Sequence, residues 1–268
     1  MRLSAGSIDV QYQPEDHDFA VQLLAAAEDC LESIEGKYHL RRPRRVRLVV
    51  LTSWFRFPFQ TAPGYLQPSV IVFMPFWALR ARRIWPWIGG WQQSYPGGIA
   101  AIGIKPPRLI EQSDRSLGEQ LFKQLEDPWQ KTISLLSHEL THACSHPLRL
   151  PAWLNEGLAM AAADHVLEMD TVLPQSRALI SEERLTPKRM RQAVLGRDHE
   201  ALLSLYASGY WLVRWMETNE PELLIELLSS RRNPKLVHRM LEKALECPSG
   251  ALWSCVQTRF GKSQSHVD

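Results

Sequence analysis

His138-Glu139-Leu140-Thr141-His142 constrains this chain more than any other stretch. Two histidines four residues apart share a face when the backbone is an α-helix. The motif therefore predicts a helix, and the preceding Thr132-Ile133-Ser134-Leu135-Leu136-Ser137 accepts one. On one helical face both imidazoles can reach a single ion, and zinc takes such nitrogen ligands. Glu139, one residue on from His138, stands where a carboxylate can act as general base toward a metal-activated water. A chain of this composition contains the pattern by chance roughly once in fifty, so the flanks must carry part of the argument.

A catalytic zinc takes three protein ligands and keeps a fourth position open. The long metzincin motif needs Gly at 145 and His at 148, where this chain has Ser145 and Leu148, so that class is excluded. His146, eight residues after His138, drifts off the ligand face and reads as surface or as a neighbour of the site. Beyond Pro147 and Pro151, Trp153-Leu154-Asn155-Glu156-Gly157-Leu158-Ala159 opens a second helix. Pro151 suits the start of that helix, because an N–H there would be unpaired anyway. The short connection predicts neighbouring helices, with Glu156 facing His142 as the third ligand. The plain structural account of Glu156 is a favourable charge at a helix N-terminus. Asp164 and Asp170 are further acidic candidates.

The rest of the chain sets bounds. With 268 residues, 45% of them hydrophobic, there is material for a sizeable core and too much apolar character for general disorder. A net charge of +2 does not by itself call for nucleic acid. Arg41-Arg42-Pro43-Arg44-Arg45-Val46-Arg47 reads as a charged entry into a strand, and no nucleic-acid recognition motif accompanies it. Four cysteines (Cys30, Cys144, Cys247, Cys255) form no CxxC pair. Cys144 reads as a small buried residue, and Cys247 and Cys255 would pair only in an exported protein. The first residues lack the apolar stretch of a secretory signal. Val70 to Leu79 is about half the length that spans a bilayer. The expectation is a cytoplasmic protein.

Alternation over Ile8–Tyr12 predicts a strand. Phe19, Leu23, Leu24, Ala27, Leu31 and Ile34 recur at helical spacing, with Gly36 near the end. Val46 to Leu51 and Ile99 to Ile104 predict buried strands, the second after Gly97-Gly98. Helices are expected at about 128–145, 151–168, 175–184, 186–195, 199–218, 220–230 and 234–246. Residues 1–112 thus form an N-terminal strand-containing lobe and 113–268 a mainly helical lobe, with a cleft between them as the natural place for a site. Residues 54–95 hold many aromatics, from Trp54 to Tyr95, interleaved with Arg80, Arg82 and Arg83. Such a segment can pack as a lid, line a pocket or contact a membrane surface.

HELTH followed by WLNEGLA resembles the gluzincin metallopeptidases, the thermolysin and aminopeptidase N superfamily called peptidase MA. The shorter ligand spacing looks more like the compact bacterial proteins of the peptidase-MA-like group. Their N-terminal strand–helix–strand unit matches residues 8–51 in outline. The resemblance implies an α+β, zincin-like fold. It also implies one Zn2+ per chain held by His138, His142 and Glu156, with Glu139 as general base and a peptide or protein as substrate. Tyr206-Ala207-Ser208-Gly209-Tyr210 resembles the Tyr-x-x-Gly helix of the aminopeptidase N branch, which assigns an oxyanion-stabilising hydroxyl to Tyr206, with Tyr210 as the fallback. Superfamily members bind peptide along an edge strand, for which Gly98, Ile99, Ala100 and Ala101 are the candidates here. Their small side chains would let a substrate backbone pair as an added strand. The acidic motif that binds a free N-terminus in aminopeptidases is not recognisable. The competing expectation is a catalytically weak, zinc-stabilised interaction or regulatory module, with possible membrane-surface contact through 54–95.

Overall fold

The β-branched run near Val46 becomes the middle of a sheet. The computed structural model describes residues 1–53, 90–113, 119–194 and 197–261. Its strands are β1 (Arg2–Ala5), β2 (Ile8–Gln11), β3 (Arg45–Val50), β4 (Gly90–Tyr95) and β5 (Ile99–Ile104). They form one sheet in the order β1-β2-β3-β5-β4. Val46, Leu48, Val49 and Val50 of β3 are all fully buried, so consecutive side chains on both faces are covered, as a central strand requires. β2 and β3 run parallel, joined by α1 (His17–Tyr38). β3 and β5 are also parallel. β4 and β5 form an antiparallel hairpin closed by Pro96-Gly97-Gly98, where φ is +84° and +76° at the two glycines. Only glycine adopts those angles at no steric cost.

By contacts the chain divides into two compact units. One comprises Met1–Gly36, Arg41–Glu119 and Gln124–Cys144; the other comprises Lys37–Leu40, Gln120–Lys123 and Ser145–Asp268. The first holds the sheet, most of α1, α2 (Pro107–Ser113) and most of α3 (Pro128–Ser145). The second holds α4 (Ala152–Leu167), α5 (Pro187–Val194), α6 (His199–Asn219), α7 (Pro221–Ser229), α8 (Pro234–Ala244) and α9 (Leu252–Phe260). The architecture is mixed α+β. No described helix is long and apolar enough to cross a membrane.

Several elements differ from the sequence expectation. α1 continues past Gly36 to Tyr38, whose buried ring is anchored by a hydroxyl donating to Glu217 at 2.7 Å. Residues 175–184 are not one α-helix but two 3-10 turns, Pro174–Leu179 and Glu182–Arg184, with extended backbone at Ile180 and Ser181. β1, β4 and α2 carry too few regularly spaced apolar residues to announce themselves, and α9, with Leu252, Val256 and Phe260 at helical spacing, was not among the expected helices.

The expected edge strand is also corrected. β5 is hydrogen-bonded to β3 on one side and β4 on the other, so Ile99, Ala100 and Ala101 have no free backbone edge. Small residues in β5 serve the chain's own packing. A Cβ on Gly103 would lie 2.5 Å from Leu51 Cδ1, and one on Gly98 would lie 3.2 Å from Arg44 Cγ. Among the described residues the edge beside β5 is β4. Of the aromatic segment, Trp91 and Tyr95 lie in β4, half-buried. Residues 54–89, with Arg80, Arg82 and Arg83, lie outside the described residues.

The basic cluster leading into β3 is engaged within its own unit. Arg45 Nε donates to Asp9 at 2.6 Å, and Arg42 pairs with Glu28 and Glu35 of α1. Asp9 also accepts from Arg2 and Ser4. Burial alone would raise its pKa, but the bonds from Arg45, Arg2 and Ser4 outweigh burial and hold the carboxyl well below the usual carboxylate range.

Candidate metal centre

α3 has two chemically distinct faces. Thr132, Leu136, Ser137, Leu140, Thr141, Cys144 and Ser145 are buried. The hydroxyls on that face need partners, and three of them return to the helix's own carbonyls: Thr132 to Pro128, Ser137 to Ile133 and Thr141 to Ser137. Burial pushes the Cys144 thiol up to about 12, so it stays a neutral packing group. With this face turned inward, His138, Glu139 and His142 are left half-exposed on the other side. The sequence thus makes one side of α3 core and leaves the opposite side for chemistry.

The two imidazoles converge, with His138 Nε2 and His142 Nε2 3.0 Å apart. Glu156, in the first turns of α4, brings a carboxylate to the same place. One ligand atom from each of His138, His142 and Glu156 lies within 4.8 Å of the others, and all three side chains are half-buried. Nitrogen and oxygen ligands about 2.0–2.2 Å from a tetrahedral zinc stand about 3.4 Å from one another. Two imidazoles and one carboxylate are a donor set that zinc accepts. The three residues could therefore hold a metal ion.

A local bond ties α3 to the first turn of α4. Ser145, the last residue of α3, donates through Oγ to Asn155 Oδ1 at 2.7 Å. Asn155 immediately precedes Glu156, so the bond ties the end of the histidine helix to the start of the glutamate helix. Between them His146–Leu148 forms a 3-10 turn, with Arg149 at φ +50°. His146 is exposed on that turn.

α4 and α6 meet backbone to backbone. A Cβ on Gly157 would fall 2.2 Å from the Gly209 carbonyl carbon, and one on Gly209 would fall 2.0 Å from the Trp153 carbonyl oxygen. Only glycine at both positions permits this approach. Gly157 follows the candidate ligand Glu156, and Gly209 lies three residues after Tyr206. The crossing thus holds the helices that carry these two residues.

Tyr206 is half-buried on α6. Tyr210 is buried, and its hydroxyl donates to Asp164 Oδ2 at 2.6 Å. That commitment removes Tyr210 as a donor for anything else, and it removes Asp164 as a free ligand. Asp164 Oδ1 already accepts from the Thr171 amide and hydroxyl. Burial raises the Asp164 pKa against the bonds from Thr171 and Tyr210. Asp170 is exposed and paired with Arg214.

Sequence reading missed Gly90. This first residue of β4 faces Glu139 so closely that a Cβ would lie 2.8 Å from Glu139 Cγ and 3.0 Å from Oε1. Gly89-Gly90 was the only available signal, set in a stretch without period.

Compared with known protein families, curated proteins and solved structures, the chain matches none of them.

Proposed function

We propose that this chain is a zinc-dependent peptidase with a zincin-like core of gluzincin type. The observation that carries the reading is the gathering of His138, His142 and Glu156 within 4.8 Å, with Glu139 next to His138 in the chain. Two histidines on one helical face meeting a carboxylate from a second helix is the arrangement a metal site requires. When bound, zinc supplies a Lewis acid and lowers the pKa of a water in its open position.

The chain's own groups supply the proton chemistry and the orientation. A bound ion would be held by ring nitrogens of His138 and His142 and a carboxylate oxygen of Glu156. Glu139 takes the proton of the attacking water as that oxygen adds to the scissile carbonyl carbon. It then delivers the proton to the leaving amine nitrogen as the C–N bond breaks. Tyr206 donates its phenolic hydrogen to the carbonyl oxygen as negative charge builds there. β4 supports the reading from the substrate side. It lies at the described edge of the sheet and begins against Glu139, where an extended peptide can pair as a further strand.

The test uses fluorescein-labelled casein and the zinc-loaded full chain, with and without 1,10-phenanthroline, beside Glu139→Gln. The expected result is cleavage by the wild-type protein alone, while the variant keeps its zinc and loses about 10²–10⁴-fold in rate. If Glu139→Gln cleaves at the wild-type rate, the mechanism is wrong. If zinc-loaded wild-type protein leaves both casein and a broad peptide library uncut, the zinc-stabilised interaction module becomes the better account.

A further inference from the structure

We propose that Gly90 is a positioning residue for Glu139, keeping the carboxylate where it can exchange a proton with the attacking water. The inference rests on the reading of Glu139 as general base. Glycine in a strand is costly, because it adds backbone freedom and packs no side chain. It is usually retained for a positive φ or for space. Gly90 is not among the residues with positive φ, so its backbone conformation is open to any residue. What excludes a side chain is Glu139: a Cβ at position 90 would meet Cγ at 2.8 Å, Oε1 at 3.0 Å and Cδ at 3.3 Å.

The contact has a specific consequence. Glu139 is half-exposed on α3 and has three rotatable side-chain bonds, whereas a general base must stay within about 2.6–3.2 Å of its proton partner. Packing the carboxylate against the flat backbone of a strand narrows that freedom. The register reinforces it, because Gly90 pairs with the fully buried Ile104, which anchors the start of β4 to the sheet interior. The near atoms all belong to one flexible side chain, so an added methyl displaces the carboxylate rather than the fold. None of them belongs to His138, His142 or Glu156.

Gly90→Ala therefore separates the position of the base from the integrity of the site. Three measurements are made on full-length wild-type and Gly90→Ala protein. They are zinc content by elemental analysis, the visible spectrum of the cobalt-loaded form, and the casein concentration dependence of hydrolysis. The expected variant binds one metal, shows the wild-type cobalt spectrum and melts within a few degrees of wild type. It loses about 10–100-fold in kcat, as displacement of a reacting group by about 1 Å does, with KM within about threefold. A merely structural glycine would change metal content, spectrum or melting before it changed kcat. The inference is overturned, with the peptidase reading intact, if an active wild type and Gly90→Ala share the same kcat. It is also overturned if the variant loses metal or unfolds. If zinc-loaded wild type is itself inactive, both readings fall together.

Discussion

At the scale of single residues, the site divides by how each group is encoded. His138 and His142 are legible because helical spacing alone puts them together, and Glu139 because it is tied to them by sequence position. Glu156 needed the inference that a short turn returns the chain, and the Ser145–Asn155 bond ties the end of α3 to the first turn of α4. The two tyrosines of Tyr206-Ala207-Ser208-Gly209-Tyr210 were not separable in sequence, since both sit on one amphipathic helix. The structure commits the Tyr210 hydroxyl to Asp164, which leaves Tyr206 as the residue assigned the oxyanion role. The same substitution should therefore read differently at the two positions. Tyr206→Phe is expected to lower kcat by about 10²-fold, the scale for losing one oxyanion donor. Tyr210→Phe is expected to destabilise the fold by about 1–3 kcal/mol, because it strips a donor from a buried carboxylate. Urea unfolding beside casein kinetics checks the pair. A kcat loss in Tyr210→Phe matching that of Tyr206→Phe would refute the assignment.

At the scale of elements, periodicity revealed what buries a regular face and missed what does not. β3, α1 and α3 each present a patterned apolar face, and each was legible. β4 reads Gly-Trp-Gln-Gln-Ser-Tyr, with Trp91, Gln93 and Tyr95 on one face and Gly90, Gln92 and Ser94 on the other, too little apolar alternation to announce a strand. Missing β4 then misassigned the edge to β5, whose small residues serve close packing under Leu51. The glycines of the NEG and Tyr-x-x-Gly stretches were legible as motifs, but their reason lies in the α4–α6 crossing. A methyl at Gly157 would overlap the backbone of α6, which cannot rotate away as a side chain can. Gly157→Ala is expected to cost about 3 kcal/mol or more, at the upper end of overpacking effects. Because α4 carries Glu156, the variant should also bind zinc more weakly. Denaturant unfolding of the metal-free and zinc-loaded forms measures both. Wild-type stability in Gly157→Ala would contradict the backbone contact.

At the scale of the whole molecule, the C-terminal helices bear on the site's support and on the compartment. Cys247 and Cys255 are joined as a disulfide, with Cα atoms 6.2 Å apart, linking the end of α8 to α9. Trp253 of α9 packs edge-on against Trp153 with ring centroids 5.5 Å apart, three residues before Glu156. Disulfides persist in oxidising compartments, the setting in which the sequence allows this pair to form. A bridge closing so short a loop contributes about 2.5 kcal/mol by chain entropy. Cys255→Ser is therefore expected to lower the unfolding free energy by about that amount in non-reducing buffer, and by much less in dithiothreitol. Intact-mass analysis that finds both thiols free after non-reducing purification would remove the bridge from the account.

The central claim is that three side chains from two helices hold one metal ion. The most direct measurement is the zinc content of protein purified without added metal and then offered zinc, for the wild type, His142→Ala and Glu156→Ala. The account predicts about one zinc per wild-type chain and a loss of tight binding in both variants, since each removes one of only three protein ligands. Failure of the wild type to take up zinc, or full zinc retention in both variants, would contradict it.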